Sequence, residues 1–142
     1  MSTDALKNLP RTRAVVDTNI VFSAVTHRGA PYRIVEAGQA GEFLWVVSND
    51  ILIEYVEVLA EHGLMPLANP LLSWIKQNAF NVQVPSFLPD TFTDIVHPSD
   101  RVVFSAAYVA GAYFVTGNKR HFPWASYRGV KILSPVDFYD IL

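Results

Sequence analysis

Apolar positions along this chain fall into short, sharply bounded runs, and their period changes from run to run. Ala14-Val15-Val16 is an unbroken apolar triplet that stops at Asp17, the pattern of a strand buried on both faces. Asn19 to Val25 reads as a helix, and Pro31 to Ala40, with Tyr32, Ile34 and Val35, as a second. Phe43 to Val47 is rich in aromatic and β-branched residues and predicts a strand. Ser48 stands where a helix N-cap belongs. A helix from Asp50 to about Glu61 follows it, closed by Gly63. Asn69-Pro70 repeats that start signal, a cap followed by proline at the first helical position, and predicts a helix through about Asn78.

Val82 to Asp94 carries Pro85 and Pro89 among alternating apolar residues and predicts no defined element. Regular signals resume at Pro98-Ser99-Asp100, which opens a helix running to Ala110 and ended by Gly111. Ala112 to Val115 predicts a strand ending at Thr116-Gly117-Asn118, and Val130 to Leu133 a final strand. Ser134-Pro135 starts a C-terminal helix over Val136 to Leu142. Strands alternating with helical segments predict an α/β fold of three layers, α/β/α, around a central parallel sheet.

Composition narrows the class. With 142 residues there is room for one domain, and 51% hydrophobic against 17% charged residues predicts a folded chain. The absence of cysteine removes disulfides, thiolate metal sites and thiol nucleophiles together. Residues 1–12 read as a polar, poorly ordered lead-in without the apolar core of a signal peptide, leaving one domain over residues 13–142. No stretch approaches the roughly 18 unbroken apolar residues of a membrane span, so a cytoplasmic protein is expected. A net charge of −2 gives no global basic footprint. That counts against a pure nucleic-acid-binding module more than against a nuclease, where bound metal neutralises acidic site and phosphate alike.

Candidate chemistry sits at the strand ends. The first strand ends in Asp17-Thr18-Asn19 and a later one in Thr116-Gly117-Asn118, and open parallel sheets bind ligands at the carboxyl ends of their strands. Either segment alone reads better as a turn or cap; the two together favour a site. Asp100 heads a stripe completed by Val103, Phe104 and Ala107, which directs its carboxylate inward, although the helix dipole also favours an acid there. Glu54 shares a face with Asp50, Glu57 and Glu61, and periodicity alone makes it a solvated acid. Carboxylates and an amide oxygen form an oxygen-only set that suits Mg²⁺ or Mn²⁺ rather than Zn²⁺.

The run Val15-Val16-Asp17-Thr18-Asn19, the Glu early in the helix after the second strand, the segment Asp100 to Ala107, and Val115 through Pro123 resemble the PIN-domain family in order and spacing. The C-terminal Ser-Pro-Val-Asp-Phe adds to the match, which spans nearly the whole chain from Arg13 and is nearest the branch of toxin components of toxin–antitoxin systems. The resemblance implies a metal-dependent endoribonuclease with Asp17, Glu54 and Asp100 as ligands for Mg²⁺ or Mn²⁺. It places Asn118 on the fourth catalytic position, with Thr116 and Asn19 in support. It also implies single-stranded RNA as substrate, an antitoxin protein as partner, and a homodimer.

Two residues depart from the family pattern. Asn118 stands where many members carry Asp, which removes a charge and should weaken metal affinity. His97 stands where relatives often begin Asp-Pro-x-Asp; it reads as a spare ligand, a phosphate contact or a loop residue, with the loop preferred. Lys119, Arg120 and His121 follow the strand end directly; Lys119 and Arg120 are candidates to hold the RNA backbone, or are simply a solvated loop. Three rival readings stand beside the nuclease. A receiver domain would need a phospho-accepting Asp that the second strand lacks. A haloacid-type phosphatase would need Asp at position 19. A catalytically silent RNA- or protein-binding module on the same fold would need neither.

Overall fold

The computed structural model describes residues 12–142; of the lead-in expected over residues 1–12, residues 1–11 lie outside the described part. The described residues form six strands and six helices. They are β1 (Arg13–Val16), α1 (Thr18–Thr26), α2 (Ala30–Gln39), β2 (Leu44–Val47), α3 (Asn49–Glu61), α4 (Met65–Asn78), β3 (Phe80–Asn81), α5 (Pro98–Ala110), β4 (Tyr113–Val115), β5 (Ser126–Tyr127), β6 (Val130–Leu133) and α6 (Pro135–Asp140), with a 3₁₀ turn at Pro89–Thr91. The sheet order is β3-β2-β1-β4-β6-β5. Among the described residues, no helix is long and apolar enough to cross a membrane.

β1 lies at the centre, paired in parallel with β2 on one side and β4 on the other. The chain leaves β1 toward β2 and returns across it to β4, so the strand order reverses between β1 and β4. A crevice opens at the carboxyl ends of strands where such a reversal occurs. Alternation across the sheet builds both faces of the core. Phe114 joins Phe104 and Phe122 at ring distances of 5.7 and 4.6 Å, whereas its neighbour Tyr113 packs on Phe138 at 5.8 Å. α5 lies against β1, β2 and β4, while α2 packs on α1 and α6.

One helix start, one short strand and one pairing differ from expectation. α4 begins at Met65 rather than Asn69, with Pro66 in its first turn and Pro70 inside it. The Leu64 carbonyl accepts from the Ala68 and Leu67 amides at 2.9 and 3.1 Å, and buried Ala68 starts the stripe continued by Leu72 and Ile75. Packing of that stripe draws the helix back ahead of its cap signal. The two-residue strand β3, paired in parallel with Val46 and Val47, is too short to show any period. β5 pairs antiparallel to β6 across Arg128-Gly129, which take φ of 51° and 83°. Two successive positive φ values make the tight hairpin turn that fits strand twist, here without its usual Asn-Gly signature. The sheet is therefore parallel except at this edge.

Gly38 sets how closely α2 approaches the sheet. A Cβ there would lie 2.8 Å from Trp45 Cε3 and 3.0 Å from Phe43 Cζ, on rings that are almost fully buried. Gly38→Ala should gain about 1 kcal/mol of helix propensity. It should lose more, about 1–3 kcal/mol, to displacement of those rings. Urea denaturation should show a lower midpoint with an unchanged slope; a raised midpoint would show that the aromatic pair yields freely.

Candidate metal centre

β1 ends at Val16, paired with Val115, and the Asp17 amide still donates to the Val115 carbonyl at 2.9 Å. Asp17 is thereby fixed at the carboxyl edge, where it also caps α1. Its Oδ1 accepts from the Thr18 amide at 2.8 Å. Its Oδ2 accepts from the Thr116 hydroxyl at 2.8 Å and from Asn19 Nδ2 at 3.2 Å. Asn19 in turn accepts the Gly117 amide on Oδ1 at 3.0 Å, and Thr116 Oγ1 accepts the Asn118 amide at 3.0 Å. Both strand ends are thus laced into one network, and its acid is buried.

Glu54 reaches the same place from α3. The Thr18 hydroxyl donates to Glu54 Oε2, a pairing across 36 residues. The next residue, Tyr55, is wholly buried and donates its hydroxyl to the Val16 carbonyl. Adjacent side chains of α3 therefore hold the end of β1 and the start of α1. Local periodicity could not reveal this for Glu54, because what half-buries it is a long-range contact. Thr18 escaped notice for the same reason, although its place beside Asp17 was a usable signal.

Asp17, Glu54, Asp100 and Asn118 line one cleft of about 300 Å³, together with Thr18, Asn19, Phe22, Val58, His62 and His121. A larger cavity of about 400 Å³ lies at the amino ends of the strands; it holds Arg13, Arg128 and Lys131 but no carboxylate. Of these two, the carboxyl-end cleft is the one lined by carboxylates. Among the described residues, no Lys or Arg lines it. Lys119, expected beside the substrate, instead donates its ammonium to the Trp124 and Ile132 carbonyls at 3.0 and 3.4 Å, and desolvation there lowers its pKa. Arg120 is exposed and outside the cleft.

Asp100 opens α5 with its side chain 19% exposed and bonds His121 Nδ1 through Oδ2 at 2.7 Å. His97, expected to be a plain loop residue, is the N-cap position of α5, and its ring lies 4.3 Å from that of His121. Among the described residues, His97, Asp100 and His121 bring their ligand atoms within 4.8 Å of one another. The three carboxylates share the cleft at wider spacing.

The electrostatics of the cleft fit a cation. Burial pushes the Asp17 carboxyl up to about 6; hydrogen bonds from Thr116 and Thr18 oppose this, and the charges of Asp100 and Glu54 add to it. Burial raises Glu54 as well, with Asp100 and Glu57 contributing. Among the described residues, like charges are gathered here without a guanidinium or ammonium beside them, and the carboxylates, hydroxyl and amides of the lining all offer oxygens, with His62 and His121 as its imidazoles. A hard divalent ion that keeps several of its waters suits carboxylates spaced too widely to close on it together.

A family model of the PIN domain matches residues 13–120. Three solved structures share the fold. VapBC2 from Rickettsia felis, bound to a DNA fragment from its promoter, superposes with a TM-score of 0.65 at 16% identity, covering 87% of this chain and 98% of that one. A toxin–antitoxin complex from Klebsiella pneumoniae gives 0.63 at 16% identity, covering 86% and 97%. DNA-bound VapBC from Salmonella typhimurium gives 0.63 at 15% identity, covering 87% and 98%. Among curated proteins, none matches.

The Asp17 shift has a direct consequence for the metal-free protein. A carboxyl whose pKa rises from 3.8 to about 6 on folding takes up its proton first in the folded state. Stability should therefore increase as pH falls through about 6, and decrease as pH rises through it. Between about pH 7.5 and about pH 5, urea unfolding in chelator should show a gain on the order of 1–3 kcal/mol. Asp17→Asn should remove most of that dependence. A flat wild-type profile over this window would show that Asp17 pays no penalty for its charge.

Proposed function

The chain belongs to the PIN-domain family, and on that premise we propose that it is a metal-dependent endoribonuclease of single-stranded RNA, the toxin of a toxin–antitoxin pair. The observation that carries the proposal is the cleft of Asp17, Glu54 and Asp100, acidic, partly buried and, among the described residues, lined by no Lys or Arg. Asp17, Glu54 and Asp100 would hold Mg²⁺ or Mn²⁺, directly or through water, and Asn118 would offer a neutral oxygen. When bound, the ion supplies an activated water and neutralises charge on the scissile phosphate.

The chain's own residues prepare that chemistry. Thr116 and Asn19 hold Oδ2 of Asp17 in one orientation, and Thr18 does the same for Glu54. Each hydroxyl or amide donor favours the charged form of the acid it touches, against the burial that disfavours it. No protein nucleophile is required. Arg120, free at the surface beside His121, is the candidate for the RNA backbone, since Lys119 is occupied by carbonyl oxygens. An antitoxin partner draws support from the structural neighbours, one a toxin–antitoxin complex and two VapBC assemblies with DNA.

Purified protein should cleave single-stranded RNA with Mg²⁺ or Mn²⁺ and stop when chelator is added; a silent binding module would bind RNA without cutting it. Asp17→Asn should reduce cleavage to background while the circular dichroism spectrum stays that of the wild type. An undiminished rate in that folded variant would dismiss the site.

Asn118→Asp tests the fourth position with two opposite signs. Asn and Asp have nearly the same shape, so the change adds charge without disturbing packing at the end of β4. In chelator the melting point should fall, because the new carboxylate joins Asp17, Glu54 and Asp100. The Mg²⁺ concentration for half-maximal cleavage should fall too. If neither moves, Asn118 is not part of the metal pocket.

A further inference from the structure

The geometry points to a second ion site at the rim of the cleft: His97, Asp100 and His121 bind a borderline transition ion of the Zn²⁺ class, which withdraws Asp100 from the carboxylate set. Two imidazoles and one carboxylate are a different donor set from the oxygens deeper in the cleft. Mg²⁺ has little use for imidazole, whereas Zn²⁺, Ni²⁺ and Co²⁺ favour it. Neighbouring chemistry thus separates the two sites by ion type as well as by place.

The three side chains come from two parts of the chain and meet at the rim of the cleft. His97 precedes α5 and Asp100 lies in its first turn, so both are carried by one helix start. His121 arrives from the loop after β4, in the stretch that also supplies Asn118. The imidazoles lie close together and tilted, with centroids 4.3 Å apart and planes 30° from parallel. His121 Nδ1 is 2.7 Å from Asp100 Oδ2. All three ligand atoms fall within 4.8 Å of one another.

Around a tetrahedral Zn²⁺ with bonds of roughly 2.1 Å, ligand atoms sit roughly 3.4 Å apart. Reaching that spacing from the present one takes shifts on the order of 1 Å. The side chains have room to make them, since His97 is exposed and His121 is 35% exposed. The hydrogen bond from His121 to Asp100 would be exchanged for coordination of both residues to the ion. Three protein ligands leave a position for solvent, the arrangement of an exchangeable rather than a structural zinc site.

Asp100 belongs to both sets, so it cannot serve them equally at once. An ion held on the imidazoles pulls its carboxylate toward the rim, away from Asp17 and Glu54. This part of the inference rests on the nuclease reading above; the binding of zinc itself does not.

Isothermal calorimetry with ZnCl₂ and tag-free full-length protein separates the two. Wild type and Asp17→Asn should each bind one Zn²⁺ per chain with similar affinity. His97→Ala and His121→Ala should each weaken that binding at least about tenfold, since loss of even an outer partner of a metal ligand costs that much. Metal-free melts of both variants establish that they fold; His97, being exposed, gives the cleaner comparison. Absence of zinc binding, equal affinity in the histidine variants, or its loss in Asp17→Asn would overturn the site. Zn²⁺ added at fixed Mg²⁺ should inhibit RNA cleavage, and His97→Ala should need about tenfold more zinc for the same fractional loss of its own rate. Full cleavage at saturating zinc would overturn the withdrawal of Asp100. If the wild type cuts no RNA under any condition, only the nuclease reading fails, and the calorimetry still decides the zinc site.

Discussion

Like charge gathered in a confined space is the constraint around which this protein is organised. Asp17, Glu54 and Asp100 share a cleft that no Lys or Arg among the described residues lines, and burial already pushes the Asp17 carboxyl up to about 6. Such a group persists only if many donors surround it and the fold leaves it nowhere else to go. Asp17 receives three hydrogen bonds, from a backbone amide, a hydroxyl and a side-chain amide. None of these donors brings a full charge. The carboxylates are held in place without being neutralised, and their attraction for a cation is preserved.

Strand order explains why those donors are available. Because β4 returns beside β1, Thr116 and Gly117 come to lie against Asp17 and Asn19 although nearly a hundred residues separate them in sequence. The reversal of direction also leaves a gap above the strand ends, which α3 and the start of α5 border with one acid each. A sheet running in simple order would have filled that gap with a crossover. The acid cluster and the parallel topology are thus one fact seen at two scales.

Much of this was legible in the sequence, and the exceptions share a cause. Ala14 to Val16, Ser48 with its helix, and Pro98 to Gly111 carry their signals within a few residues, and all three elements stand where their patterns put them. The short strands β3 and β5 lack the length for a period, and α4 starts early because buried Ala68 outweighs the cap at Asn69. Site residues divide in the same way. Asp17 and Asn118 are announced by strand ends, whereas Glu54 acquires its place only through Thr18, and Lys119 leaves the cleft for carbonyls on two later segments. His97 was unreadable because its partner, His121, lies on a different element. What a window of sequence misses is contact between windows.

The adjacent pair Glu54 and Tyr55 makes the precision of the cleft a property of the core. Tyr55 anchors α3 to the Val16 carbonyl from inside, and one residue earlier Glu54 meets Thr18 at the surface of the same helix. A small roll of α3, caused by repacking beneath Ile51 or Leu59, would move both contacts together. Evolution therefore cannot adjust the interior of this helix and the reach of its carboxylate as independent traits. Drift in apolar residues far from the cleft would be read out there as a displaced carboxylate, and the hydrophobic interior becomes a hidden dial on the geometry of the acids.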